Sequence, residues 1–318
     1  MILFSCITAQ AQFPRIRHFL HLTDSILSLR YNSANIDTSY VVRPKTKWTL
    51  SGRANMSGAK ISTQGKIDGR AFESQMKADY KTTLSAAVNF QGISVSLALN
   101  PAKLMGKYND YELNLNSYGK KLGFEFVYQR AKNFKGWHDV EGEKRIKLPT
   151  DFLSLKSINA NAYFVFNSRR FSYPAALTQS YIQRRSAGSF LLSLAYQGQQ
   201  LKSTAEPFIH LRVMNIGMGG GYGYNYVPFP KWLFHISAMP NLIVYSNTSV
   251  TDNDERVPLH YHFPEVIITS RGAVVKQIGK RYFTGLSGVF NFTGIGNKRR
   301  LEVENTKWRF RVFFGIRL

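Results

Sequence analysis

The sequence predicts an all-β fold: an antiparallel transmembrane β-barrel of about twelve strands, with a short periplasmic N-terminal leader and a small helical plug. Three observations predict it. Apolar and polar residues alternate with a period of two from Pro44 to the last residue. The alternating runs are about 9 to 14 residues long, the length of a tilted membrane-crossing strand rather than a globular one. Their polar face is rich in Asn, Ser, Gln, Arg and Glu, as a wet lumen requires, and aromatic residues gather at strand ends.

The segments come in order. Residues 1–11, "MILFSCITAQA", read as a signal peptide ending in an A-x-A site, without the usual basic n-region, so a truncated start is expected. The single cysteine, Cys6, lies inside it, with Phe4 where a lipidation site wants a small residue. Residues 12–44 form the leader: "HFLHLTDSILSLRYN" suits a short amphipathic helix and "DTSYVVRP" an extended stretch. The barrel then occupies 45–318. Leu84, Ala86, Val88 and Phe90 alternate with Thr83, Ser85 and Asn89; Leu122, Phe124, Phe126 and Tyr128 alternate with Glu125 and Gln129. Similar runs begin at Trp48, Ile93, Tyr111 and Ile158, and others cover about 189–197, 212–227, 231–245, 264–276 and 281–293. The closing run, "KWRFRVFFGIRL", places Trp308, Phe310, Val312, Phe314 and Ile316 on the lipid parity. Arg309, Arg311 and Arg317 take the lumen parity, and Phe313 breaks the pattern.

Connections are expected to alternate between short periplasmic turns and long outer loops. Those near 91–92, 118–121, 228–230 and 277–280 read as turns. Those near 57–79, 101–110, 131–156, 198–211, 246–263 and 294–304 read as loops. Residues 167–188 are the exception, long yet on the periplasmic side. In "NSRRFSYPAALTQSYIQRRSAGS", Pro174 suits a helix start, Leu177 and Tyr181 share a face at i,i+4, and Gly188 suits its end. Arg169, Arg170, Arg184 and Arg185 bracket the segment. Residues 171–187 are expected to enter the lumen, with Arg184 or Arg185 paired to Glu112 or Glu125. The bare face of "GMGGGYGYNY" (Gly217, Gly219, Gly221 and Gly223) offers a groove to receive them. The alternative is that these glycines merely let the strand bend, with the insertion free in the periplasm as a docking site.

"FSYPAALTQSYIQRRSAGSFL" and "IDTSYVVRP", with the Gly/aromatic barrel pattern, resemble the bacterial family known as domain of unknown function 4421. The resemblance covers about residues 35 to 318. It implies an exported, Bacteroides-type outer-membrane barrel and brings no catalytic residues.

The formal charge of +23 would suit nucleic acid, but the basic residues are scattered, without zinc spacing or a basic helix. No run approaches the roughly 18 apolar residues of a membrane helix. A P-loop and G-x-S-x-G are absent, and no cofactor or metal is expected. His260 and His262 share a strand face but lack a third ligand. His235 and Ser237 are two apart on one strand, the arrangement of a Ser/His hydrolase, with Asn241 or Asn247 available to orient the histidine. Outer-membrane phospholipases resemble this in their His-x-Ser, although the Asn-Gly-Arg-rich stretch that comes after theirs is missing.

The functional expectation is an outer-membrane pore of a Gram-negative bacterium for anionic solutes, built on the cationic lumen. The alternatives are a plugged barrel anchoring a periplasmic partner or stabilising the envelope, and a lipase using His235 and Ser237. Lys132, Lys135, Lys144, Arg145, Lys147, Lys298, Arg299 and Arg300 in the outer loops are expected to meet lipopolysaccharide phosphates.

Overall fold

The computed structural model describes residues 35–318, apart from 68, 91–92, 100–110, 205–208, 253–254, 260–263 and 298–300. Residues 1–11, read as a signal peptide, most of the expected leader, His260, His262 and Lys298–Arg300 therefore lie outside the described residues. The described chain forms one compact unit, Asp37–Leu318.

Seventeen strands and one short helix are described: β1 (Val41–Val42), β2 (Trp48–Ile67), β3 (Arg70–Ala78), β4 (Lys81–Phe90), β5 (Ile93–Leu99), β6 (Tyr111–Tyr118), β7 (Leu122–Val140) and β8 (Ile146–Val165) precede the helix α1 (Tyr173–Leu177). After it come β9 (Ile182–Gln183), β10 (Ala187–Ser203), β11 (Ile209–Tyr226), β12 (Trp232–Ser246), β13 (Thr248–Asp252), β14 (Glu255–Leu259), β15 (Val266–Ile278), β16 (Tyr282–Asn297) and β17 (Leu301–Arg317). Twelve of them, β2, β4–β8, β10–β12 and β15–β17, pair antiparallel with their neighbours in chain order, and β17 returns to β2. The seam runs from Leu301↔Gly65 to Arg317↔Thr49. The Trp48 and Leu318 backbones exchange both hydrogen bonds beyond it, at 3.1 and 2.9 Å, so no strand edge is left open there.

The outer surface carries the belt that the alternation predicts. Leu50, Leu84, Leu122, Phe190, Leu192, Ile236, Leu286, Phe310, Val312 and Phe314 are all exposed. In water such a belt would be a liability; against lipid it is the solvated face.

The structure departs from the sequence reading at the end away from Trp48 and Leu318. Most of the segments expected to be loops there are strand. β2 runs 20 residues to Ile67, β7 runs 19 to Val140 and β8 runs 20 from Ile146, well beyond the roughly 10 a membrane needs. Lys132 and Lys135 therefore lie in β7 and Lys147 in β8, and only Lys144 and Arg145 sit in the turn.

Along these strands the polarity of the two faces inverts. On β2, Leu50 and Met56 face lipid while Arg53 and Asn55 face inward; further on, Lys60 is outside and Ile61 is buried inside. On β17, Phe310 and Val312 are outside with Arg309 and Arg311 within, whereas at Val303 the buried side is apolar. The inversion marks where the strands leave the bilayer: water outside requires a greasy interior. That interior is a cluster of Ile61, Met76, Phe134, Phe152, Leu155, Leu201 and Val303, which caps the far end of the barrel. β3 completes the cap by pairing with β2 on one edge and β7 on the other, above the shorter β5–β6 hairpin.

Candidate functional site: the occupied lumen

The chain between β8 and β10 turns back into the barrel at the end bearing Trp48 and Leu318. Asn167 starts the turn, its carbonyl accepting from the amide of Phe171 at 2.9 Å. Ser172 caps α1, its Oγ accepting from the Ala175 amide at 3.2 Å, and Pro174 falls in the first turn. The helix is a single turn. It stops at Leu177, and Gln179 takes a left-handed φ of 57° to bring the chain out again. Leu177 and Tyr181 thus share no helical face, and Gly188 belongs to β10, under the Tyr222 ring.

Phe171, Tyr173, Ala175 and Ala176 have no exposed surface. Phe171 and Tyr173 pack with Tyr118, Tyr163, Val165, Leu191 and Met239 of the wall. Tyr173 lies edge-on to His235, with ring centres 5.2 Å apart, and stands 4.8 Å from Tyr163. Tyr163 in turn lies over Gly123, where any side chain would collide with its ring.

Polar contacts tie this plug to both walls. Arg271 of β15 forms an ion pair with Glu125 of β7, whose other oxygen accepts from the Tyr118 hydroxyl at 2.5 Å. Tyr173 Oη stands 3.4 Å from Arg271 Nη1 and 2.9 Å from Ser237 Oγ. His235 Nε2 is 3.1 Å from the same Oγ, and its Nδ1 is 2.7 Å from Asn225 Oδ1. The hydrogen-bond pattern assigns the protons. Asn225 Nδ2 donates to the Ser172 carbonyl and to Gln183 Oε1, so its Oδ1 faces His235. His235 then carries its proton on Nδ1, and Nε2 accepts from Ser237. At the exit, Arg317 donates through Nε to the Gln179 carbonyl at 2.9 Å and lies over the Phe283 ring. β9 pairs with β1, and Asp37 bonds Arg170.

The residues expected to pair the plug with the wall are distributed differently. Glu112 and Glu125 face the lumen, but their partners are Arg309 and Arg271. Arg184 and Arg185 do not reach them. Both are exposed at the mouth with Arg169 and Arg170, and Arg170 and Arg185 lie over the Tyr40 ring. The reason is where the plug ends: the chain is back at the rim by Ile182, where a long cation reaches water.

Of the glycine stripe, only Gly223 meets the plug, with a virtual Cβ 2.9 Å from the Phe171 ring. At Gly219 and Gly221 a Cβ would collide with the carbonyl oxygens of Pro240 and Ala238, and at Gly217 it would meet Asn241. Those three serve the close coiling of β11 against β12, not a groove.

His235 and Ser237 do sit side by side, but the orienting amide is Asn225. Asn241 instead holds Ser193, and Asn247 pairs through its backbone with Met214. The three side chains have the order of a hydrolase relay. They face the plug and not the lumen space, and Ser237 is 2% exposed.

Between plug and cap lies a chamber of about 190 Å³, lined among others by Arg53, Glu112, Glu125, Arg271, Lys307, Arg309 and Arg311. Beside it, bonds cross the barrel directly: Lys307 Nζ to Ser157 Oγ at 3.3 Å, and Asn305 Nδ2 to Gln199 Oε1 at 3.0 Å. Sequence reasoning missed Arg271, Tyr173 and Asn225. Arg271 was visible in principle as the lone charge in "VIITSRGAVV", on the inward parity.

A twelve-stranded antiparallel barrel with an apolar outer belt, an inward plug and an ionised lumen is an outer-membrane β-barrel in class. The model of the family described as domain of unknown function (DUF4421) matches residues 35–317, and the chain belongs to that family. No curated protein matches it. Among solved structures it is similar to the outer membrane protease OmpT from Escherichia coli, at 7% identity over 86% of this chain and 97% of that one, with a TM-score of 0.48. It is similar also to OprG from Pseudomonas aeruginosa (14%, 87% and 99%, TM-score 0.31). A third is the translocator domain of the autotransporter NalP from Neisseria meningitidis (11%, 96% and 98%, TM-score 0.33).

Proposed function

We propose that this protein is a sealed barrel in the outer membrane of a Gram-negative bacterium, and that its periplasmic end docks an acidic periplasmic partner. The carrying observation is the double closure of the lumen, by the 171–183 plug at the end bearing Trp48 and Leu318 and by the apolar cap at the other. A conducting pore needs a continuous wet path, and bonds that span the barrel's interior oppose one. The plugged end is also a rim of cations. Its turns hold Arg43, Lys45, Lys47, Lys120, Lys121, Arg169, Arg170, Arg184, Arg185, Lys231, Lys280 and Arg281 against one described carboxylate, Asp37. Such a field steers and orients an anionic protein surface.

Two measurements test the reading. The wild-type protein in planar bilayers gives no stepwise current. Chemical cross-linking in whole cells traps a periplasmic protein that is lost when Arg169, Arg184 and Arg185 are changed to Glu. Stepwise anion-selective current from the wild type overturns it.

One observation favours the second reading, a gated anion path: the chamber lining holds more cations than carboxylates. On that reading both plug and cap must move, and deleting residues 172–182 alone leaves the barrel silent.

A further inference from the structure

The chamber's charges do not balance. Its lining holds six cations and three carboxylates. Each carboxylate is committed: Asp79 to Lys135, Glu112 to Arg309 and Glu125 to Arg271. Lys81, at the margin, is engaged as well. Arg53, Lys307 and Arg311 remain. Their bonds among the described residues go to neutral oxygens: Arg53 Nε to Ser51 Oγ at 3.0 Å, Arg311 Nε to Asn55 Oδ1 at 2.8 Å, and Lys307 Nζ to Ser157 Oγ. Both guanidinium groups are thus held by Nε alone, leaving their terminal nitrogens to the chamber.

Arg53 and Arg311 are neighbours by register: Arg311 stands opposite Asn55 on β2, and Arg53 lies two residues along that strand on the same face. Lys307 lies four residues along β17 in the other direction, beyond the Arg309–Glu112 pair. Two like charges side by side in a confined space, with no carboxylate bonded to either, cost several kcal/mol of desolvation and repulsion unless an anion joins them. Two planar forks are groups that hold a phosphate, through paired N–H donors. The space exceeds what a bare ion fills. An engineered cavity of about 150 Å³ takes a benzene. Here Asn114, Asn159 and Asn161 line the remainder with amides suited to hydroxyl groups. The chamber reaches the wall at the step between β3 and β4, where the Asp79 side chain is 27% exposed.

We infer that the chamber binds a phosphate ester with a small hydroxyl-bearing body, its phosphate seated between Arg53 and Arg311. The site is independent of whether the rim docks a partner. Its source is either a free sugar or glycerol phosphate, or the headgroup of a membrane lipid.

The test uses the full chain, extracted from membranes in detergent without phosphate buffer. Native mass spectrometry and ³¹P NMR are expected to find one phosphorus-bearing group per barrel. Release on dialysis identifies a free phosphate; release only into organic solvent identifies a lipid. After stripping, glycerol 3-phosphate is expected to raise the melting temperature of the wild type. Arg53→Gln and Arg311→Gln are each expected to weaken its binding at least tenfold, while the β-sheet circular dichroism stays unchanged. If Arg311→Gln does not fold, Arg53→Gln carries the comparison. A wild-type protein that carries no phosphorus and binds no millimolar glycerol 3-phosphate or inorganic phosphate overturns the inference. So does a folded Arg53→Gln or Arg311→Gln protein that binds as tightly as the wild type.

Discussion

Arg271 and Glu125 stand on opposite walls of the barrel, on β15 and β7, and their side chains meet in the middle of the lumen. Removing one partner strands the other charge in a dry interior, at a cost of about 3–5 kcal/mol. Arg271→Met and Glu125→Leu are each expected to lower the urea midpoint strongly. The double variant is expected to recover most of the loss, because it leaves no orphan charge. A double variant as weak as the sum of the two singles would show that the pair holds the plug by more than neutralisation.

The glycine stripe divides into two classes. Gly219→Ala and Gly221→Ala drive a methyl group into backbone carbonyls of β12, which have nowhere to retreat. Both are expected to block folding, read as loss of the heat-modifiable band on gels. Gly223→Ala presses only on the Phe171 ring. It is expected to fold and to raise hydrogen exchange at residues 171–177 while sparing the strands.

Ser237 carries a sharp expectation for chemistry. Its hydroxyl bonds both Tyr173 and His235 behind the plug. Ser237→Ala is expected to destabilise by about 1–3 kcal/mol, the cost of buried partners left unmade. Fatty-acid release from phospholipid vesicles is expected to be the same for variant and wild type. A rate that falls on substitution would restore the hydrolase reading.

Lys120 links the rim to pH. Partial burial, then the neighbouring Arg43, Lys121 and Arg169, hold its ammonium down to about 8. A lysine depressed in the folded state penalises folding when protonated. The penalty is therefore full below about pH 8 and fades as pH rises toward the ordinary lysine value. Thermal stability is expected to climb between about pH 8 and 10, and Lys120→Met is expected to flatten that climb. A steeper climb in Lys120→Met would contradict the sign.

The sequence made the membrane part of this barrel legible because lipid imposes a strict rule on one face. Leu84 to Phe90 and Trp308 to Ile316 could be nothing else. It did not disclose the cap, because the rule changes sides where strands leave the bilayer: Ile61 and Val303 are apolar on the parity that carries Arg53 and Arg309 below them. Read as one continuous pattern, the alternation fades and looks like loop. The plug's buried Tyr173 and its short helix lay within the segment singled out, since a long insertion on the short-turn side has few other uses. The partners across the lumen were out of reach. Parity says that Glu125 points inward, but the stagger of twelve strands decides that it meets Arg271 rather than an arginine near the insertion. Nor does parity separate a glycine that receives a ring, such as Gly223, from one that admits a neighbouring strand, such as Gly219.

Arg317 of β17 grips the carbonyl of Gln179 where the plug leaves the lumen. The plug's exit, 138 residues upstream, lacks this hold until β17 has closed against β2. The latch therefore couples the seating of the interior to the zipping of the wall: a barrel still open at its β2–β17 seam has one grip fewer on what fills it.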